Sequence, residues 1–161
     1  MNRSHAENGC QTSRYTAAFA VAVSVLASAC SAPSTGPEAE IQGWLDRGIA
    51  AAEAKERDSL LDMISPAYAD ARGYNRTRIG NLLRAYFLRM NSVELITTVN
   101  EITVMGDTAA NVLLTVGMAG TKDSLLGFTA DAYQFSLELE KNAGDWALIS
   151  ARWAQIGKEL Q

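Results

Sequence analysis

The chain contains one histidine, His5, and two cysteines, Cys10 and Cys30, and their positions restrict the chemistry open to it. His5 and Cys10 both precede an uncharged apolar run, Tyr15 to Ala29, that has the character of a removable leader. A body that has lost His5 cannot build a serine or cysteine triad that uses imidazole, nor a histidine-ligated zinc site. Neither a G-x-x-x-x-G-K-S/T nor a G-x-G-x-x-G phosphate cradle occurs. No metal and no cofactor is therefore expected. What remains for catalysis is a carboxylate in an apolar cavity, where burial raises the pKa and makes a general base. Asp131 is the candidate, because strand parity puts it on the same face as Tyr133 and Phe135. The alternative for Asp131 is a solvated place at the start of its strand.

Tyr68, Tyr86, Tyr133, Phe135 and Trp153 are candidates to line a pocket for a small apolar ligand, with phenol hydroxyls setting its orientation. Aromatic residues at such spacing are more often simply core. Arg76, Arg78, Arg84 and Arg89 make one stretch locally basic; they could grip an anion, but a solvated helix face is the preferred account of them, since Ile79, Leu82, Leu83 and Tyr86 define the buried side. Glu138 and Glu140 alternate along a strand, as solubilising acids do. The formal net charge is −4, and the 14 Lys and Arg are scattered rather than gathered in a stripe. Nucleic acid is not an expected partner.

The apolar run follows a weakly basic head and is too short to span a bilayer, for which about 20 apolar residues are needed. It ends Leu26-Ala27-Ser28-Ala29-Cys30, which resembles the lipobox of bacterial lipoproteins, in which the cysteine is acylated and becomes the new N-terminus. Ala27-Ser28-Ala29 also suits ordinary signal peptidase, which would release a soluble protein at the same bond. Residues 1–29 are thus expected to be a signal peptide and 30–37 a lipidated N-terminus with a Ser/Pro/Gly tether. The expected location is the bacterial cell envelope, facing the periplasm and held to the membrane by lipid at Cys30. Ser31 after the cysteine resembles outer-membrane rather than inner-membrane sorting.

Behind the tether, Thr35 and Glu38 have capping-box spacing, and Ile41, Trp44, Leu45, Gly48, Ile49 and Ala52 form a helical stripe. Asp58 is placed to cap a short second helix that Pro66 stops, and residues 77–90 have the period of a third. After Met90 the period changes to that of strands. Val93–Val99 with Ile102–Met105 turns at Gly106-Asp107 into Asn111–Val116, as a long hairpin. A loop near 120–127 leads to the alternation of Tyr133, Phe135, Leu137 and Leu139 with Gln134, Ser136, Glu138 and Glu140. Asn142-Ala143-Gly144-Asp145 then turns into a last strand from Trp146 to Gln155. Trp146 and Trp153 have opposite parity, so burying both requires a bulge between them.

Helices followed by a meander predict an α+β domain of three N-terminal helices on a curved antiparallel sheet of about four strands. This order, with Leu60-Leu61-Asp62-Met63-Ile64-Ser65-Pro66 and the closing Gly144-Asp145-Trp146-Ala147-Leu148-Ile149 and Trp153, resembles the nuclear transport factor 2-like superfamily over residues 38–156. The resemblance implies a cone with a pocket between sheet and helices, in a group that includes isomerases, dehydratases, cyclases and non-catalytic binding modules. The domain is set at 38–157 and a tail at 158–161. The leading expectation is a non-catalytic lipoprotein domain binding an envelope protein or a small apolar ligand. Its alternative is a cofactor-free isomerase, dehydratase or cyclase using Asp131 and the tyrosines. A homodimer through the polar sheet face around Gln134 and Ser136 is a third possibility.

Overall fold

The computed structural model describes residues 36–121 and 128–161, so the leader, Cys30, most of the tether and the central part of the expected loop lie outside the described residues. Three helices, α1 (Pro37–Glu53), α2 (Arg57–Asp62) and α3 (Arg76–Arg89), precede four strands, β1 (Ser92–Met105), β2 (Ala109–Thr121), β3 (Phe128–Asn142) and β4 (Asp145–Gln155). The strands form one antiparallel meander in the order β1-β2-β3-β4.

Helix α1 begins with Pro37, whose missing N–H would have had no intrahelical partner and whose fixed φ suits a first helical position. Its N-cap is Gly36, without a side-chain cap, and the expected cap Thr35 lies outside the described residues. Ile41, Trp44, Leu45 and Ala51 are its buried side. Both ends of the helix are fastened to the sheet. The Glu40 carboxylate accepts from the Trp146 indole N–H at 2.9 Å and from Lys141, while the Glu53 carboxylate accepts from the backbone N–H of Leu95 at 2.9 Å. The helix therefore crosses the sheet from the β3–β4 turn to the start of β1.

The expected role of Asp58 as cap of α2 is not what forms: Glu56 holds the N-cap position, and Asp58 sits in the first turn, paired with Arg57 at 2.7 Å. After α2 the chain becomes an edge segment rather than a plain loop. The Leu148 N–H donates to the Met63 carbonyl at 3.0 Å, and the Ser65 and Ala69 N–H groups donate to the Leu148 and Ile149 carbonyls at 2.9 and 3.1 Å. Those bonds cover the outer edge of β4, where unpaired backbone would otherwise invite another strand. Helix α3 starts at Asn75, whose side chain accepts from the Arg78 N–H at 2.9 Å.

The two runs expected to begin the hairpin are one strand, β1, kinked where Val99 faces Leu114 and Glu101 faces Leu113, so that Asn100 is the extra residue. A second bulge falls in β4, where Glu138 faces Ser150 and Leu139 faces Leu148, leaving Ile149 as the extra residue. This shift brings Trp146 and Trp153 to one face, as their opposite parity required. The β3–β4 turn uses Ala143 and Gly144, both at positive φ (51° and 99°), the geometry that matches strand twist in a two-residue hairpin. Gly120 meets a different demand: a Cβ there would lie 2.2 Å from Met90 Cε and 2.7 Å from the Ser92 carbonyl oxygen.

The core lies between α1 and the covered sheet face, with Ile41, Ala110, Val112 and Leu139 each at 1% exposure or less. Along β2 and β3 the covered positions are Ala110, Val112, Leu114 and Val116 opposite Leu139, Leu137, Phe135 and Tyr133. The other face carries Asn111, Thr115, Gln134, Ser136 and Glu138. This is the alternation expected of an antiparallel sheet covered on one side.

Candidate functional site

Helix α1 reaches the end of the sheet away from the β3–β4 turn at Leu95 of β1; the candidate residues lie at that end on β2 and β3. Met118 faces Asp131 across β2 and β3, and Val116 faces Tyr133, so strand register confirms that Asp131, Tyr133 and Phe135 share a face. From the other side α3 brings Tyr86. Its phenol is pushed above the ordinary tyrosine value, first by burial, then by the negative charge of Asp131, and last by the neighbouring Tyr133 phenol. Tyr86, Asp131 and Tyr133 thus form one polar cluster at the rim of an apolar surface. Asp131 is exposed, while Tyr86 and Tyr133 are half-buried.

Behind this cluster stands a ladder of rings. Tyr133 and Phe135 lie 6.4 Å apart between centroids, and Phe135 stacks on Trp153 at 6.4 Å and 23°. Tyr74 meets Trp153 at 6.2 Å, and the Arg72 guanidinium sits 4.3 Å above the Trp153 ring while donating to its carbonyl at 2.8 Å. Arg78 covers Tyr74 at 5.1 Å. The loop that presents Arg72 and Tyr74 is organised by Asp70, whose carboxylate accepts from the N–H groups of both, at 2.9 and 2.8 Å.

Tyr68 is at 3% exposure in the core, and its hydroxyl donates to Asp70 at 3.0 Å. Burial, followed by that bond, pushes the phenol far above its usual range. Tyr68 is therefore the buried anchor of the loop, while Tyr86, Tyr133, Phe135 and Trp153 lie together on or behind the rim. Asp70, Arg72 and Tyr74 were not singled out from the sequence; the turn Asp70-Ala71-Arg72-Gly73, with Gly73 at φ 72°, is the signal that marks them.

The four arginines of the third helix do not converge on one point. Arg76 donates to the Leu61 carbonyl at 3.1 and 2.9 Å and so ties α3 to α2. Arg84 borders a surface cleft of about 530 Å³ shared with Lys55, Glu56, Arg57, Asp58 and Ser59. Leu82, expected on the buried side, is 43% exposed. Among the described residues, no group of three or more His, Cys, Asp or Glu could hold a metal ion. The buried Thr97 hydroxyl, in line with Val116 and Tyr133 across the sheet, has no hydrogen-bond partner. Chemically, the rim offers one carboxylate able to take a proton and two phenols able to donate hydrogen bonds beside an apolar surface.

No protein-family model matches the sequence, and no curated protein matches it either. Solved structures do. A ketosteroid isomerase-like protein from Erwinia carotovora superposes with a TM-score of 0.61 at 15% identity, covering 74% of this chain and 96% of that one. A provisionally assigned scytalone dehydratase from Novosphingobium aromaticivorans gives 0.67 at 12% identity, over 76% and 84% of the two chains. A hexachlorocyclohexane dehydrochlorinase from Novosphingobium barchaimii gives 0.62 at 12% identity, over 77% and 89%. The chain has the nuclear transport factor 2-like fold. In this nuclear transport factor 2-like domain the helices and curved sheet correspond to those of the similar structures over about three quarters of the chain. At these identities the likeness establishes architecture, and chemistry has to be argued from the rim residues themselves.

Proposed function

We propose that the domain is a cofactor-free proton-transfer enzyme of the isomerase, dehydratase or eliminating kind, with Asp131 as base and Tyr86 and Tyr133 as hydrogen-bond donors. The observation that carries this reading is the half-buried Tyr86 phenol, raised by burial and by its neighbours Asp131 and Tyr133. The shift marks this phenol as desolvated and close to Asp131, and a protonated phenol in such a place can donate a hydrogen bond to a developing oxyanion. Isomerisation, dehydration and dehydrochlorination all need a proton to leave carbon, and similar structures carry those descriptions.

Exchange of the α-protons of 2-tetralone into heavy water, followed by proton NMR, tests proton abstraction alone. Asp131→Asn is expected to slow protein-catalysed exchange by about 10²–10⁴-fold, and Tyr86→Phe by a smaller factor. Equal exchange by the Asp131→Asn variant would remove Asp131 as the base. A second reading, a ligand-binding domain without catalysis, is favoured by the exposure of Asp131; saturable tetralone binding without exchange would select it.

For the address, we infer export and lipid attachment at Cys30 in the bacterial envelope, supported by the leader ending Leu26-Ala27-Ser28-Ala29-Cys30 and the polar tether after it. Intact mass of the membrane-extracted protein and of its Cys30→Ser variant tests this. Loss of an acyl-sized mass together with release from membranes is the expected result, and unchanged mass and location would overturn it.

A further inference from the structure

Helix α3 is apolar on two sides. Ile79, Leu83, Tyr86 and Phe87 face inward and are half-buried, whereas Leu82, Ala85 and Leu88 face outward, with Leu88 at 78% exposure. A helix greasy on both sides fits a place between two partners, and here the fold supplies only the inner one. Arg78, Asn81 and Arg84, each four residues before a member of this row, lie along one border of the outer strip and Arg89 along the other, all exposed. Between Asp70 and Glu94 there is no acidic residue, in a chain whose net charge is −4. Along α3 itself the charge is therefore positive, with Glu56 and Asp58 nearby only in the cleft beside Arg84, where Lys55 and Arg57 accompany them.

We propose that the outer face of α3 docks flat on an anionic phospholipid surface, with Leu82 and Leu88 entering the headgroup–acyl boundary and Arg78, Arg84 and Arg89 lying against phosphates. Charge complementarity selects this occupant. Long arginine side chains bordering an apolar strip can reach phosphates while their stems cover apolar surface. A second copy meeting this face about a two-fold axis would set arginines against arginines, since a two-fold contact pairs a patch with itself. The strip is separate from the polar sheet face, and the proposal depends neither on Asp131 nor on lipid at Cys30. Where Cys30 is acylated, the helix would supply the second signal that turns marginal membrane binding into stable binding.

The test uses the chain from Pro33 onward, which contains all seven elements and the whole described core in one compact unit. It is sedimented with vesicles of phosphatidylcholine alone and with vesicles containing about one third phosphatidylglycerol. Binding is expected only to the anionic vesicles. Leu82→Ser with Leu88→Ser, and separately Arg84→Gln with Arg89→Gln, should each lower the partition coefficient about tenfold or more. A Leu88→Trp variant should show a blue-shifted emission on the same vesicles, which loose adsorption would not produce. Equal binding to both vesicle types, no binding, or anionic binding that survives the leucine substitutions would each overturn the proposal. So would a dimer in light scattering that the leucine substitutions abolish.

Discussion

Helices α1 and α3 are of similar length and similarly amphipathic, yet they relate to the sheet in opposite ways. The first buries Ile41, Trp44, Leu45 and Ala51 and is fastened at both ends through Glu40 and Glu53. Only Gly80 is fully buried on the third, and Ile79 alone among its residues packs against the core cluster. The helix is held to α2 by Arg57, which donates to the Gly80 carbonyl at 3.0 Å, and by Arg76 on the Leu61 carbonyl. The contrast divides the work of the domain. The diagonal that α1 covers, from the β3–β4 turn to the start of β1, supplies stability; the side near α3 and the start of β3 is left with half-buried tyrosines, a carboxylate and exposed leucines, the groups a ligand or a surface can reach.

The sharpest way to break this contrast is to truncate the contact under α1 at the β3–β4 turn. Trp146 is at 6% exposure and bonds to Glu40, so Trp146→Ala should cost about 3–5 kcal/mol in urea denaturation; a loss below about 1 kcal/mol would mean that this side is not the stable one. Gly120→Ala comes next. Its Cβ would collide with flexible Met90 and also with the backbone at Ser92, so a loss of about 1–3 kcal/mol is expected. Adding Met90→Ala should restore little of it, because the backbone contact remains. Full rescue would show that the side chain alone sets the limit. Asn75→Ala, which removes the cap of α3, should cost about 1 kcal/mol and should raise amide exchange in α3 more than in α1.

Acid separates the two helices as well. The Glu40 carboxyl is held below its ordinary value of 4.5 by its bonds to Lys141 and Trp146. A group with a lowered folded pKa stabilises the protein above its unfolded pKa, and that contribution disappears as the pH falls through the folded value. Thermal scans between neutral pH and pH about 3 should therefore show an acid loss that is shallower in Glu40→Gln. Parallel curves for wild type and variant would remove this ion pair from the acid response.

What could be read from the sequence followed the range of the interactions. The alternation from Tyr133 to Glu140 showed a strand covered on one face, and the opposite parity of Trp146 and Trp153 required the bulge that Ile149 supplies. Both are local patterns. The edge segment after α2 was not legible, because Ser65 and Ala69 find their carbonyls on β4, some 80 residues away in sequence. Asp58 looked like a cap because its type suits one, but the chain enters α2 two residues earlier. At the rim, parity grouped Asp131 with Tyr133 and Phe135, whereas the approach of Tyr86 depends on how α3 is carried by α2. Leu82 was read as buried because it neighbours Leu83 and Tyr86 in the helical period. Periodicity shows that a stripe is apolar and leaves open whether protein covers it.

The smallest expected effect tests that last point. Leu88 lies in the last turn of α3 at 78% exposure, and alanine is at least as good a helix former as leucine. Leu88→Ala should therefore change the unfolding free energy by less than about 0.5 kcal/mol, as surface substitutions do, although a leucine buried in the core costs several times more when cut back. A loss above about 1 kcal/mol would mean that this protein itself covers Leu88 in solution. The outer strip of α3 would then be a second core contact, and the division between a covered and an open side would shrink to the tyrosine rim.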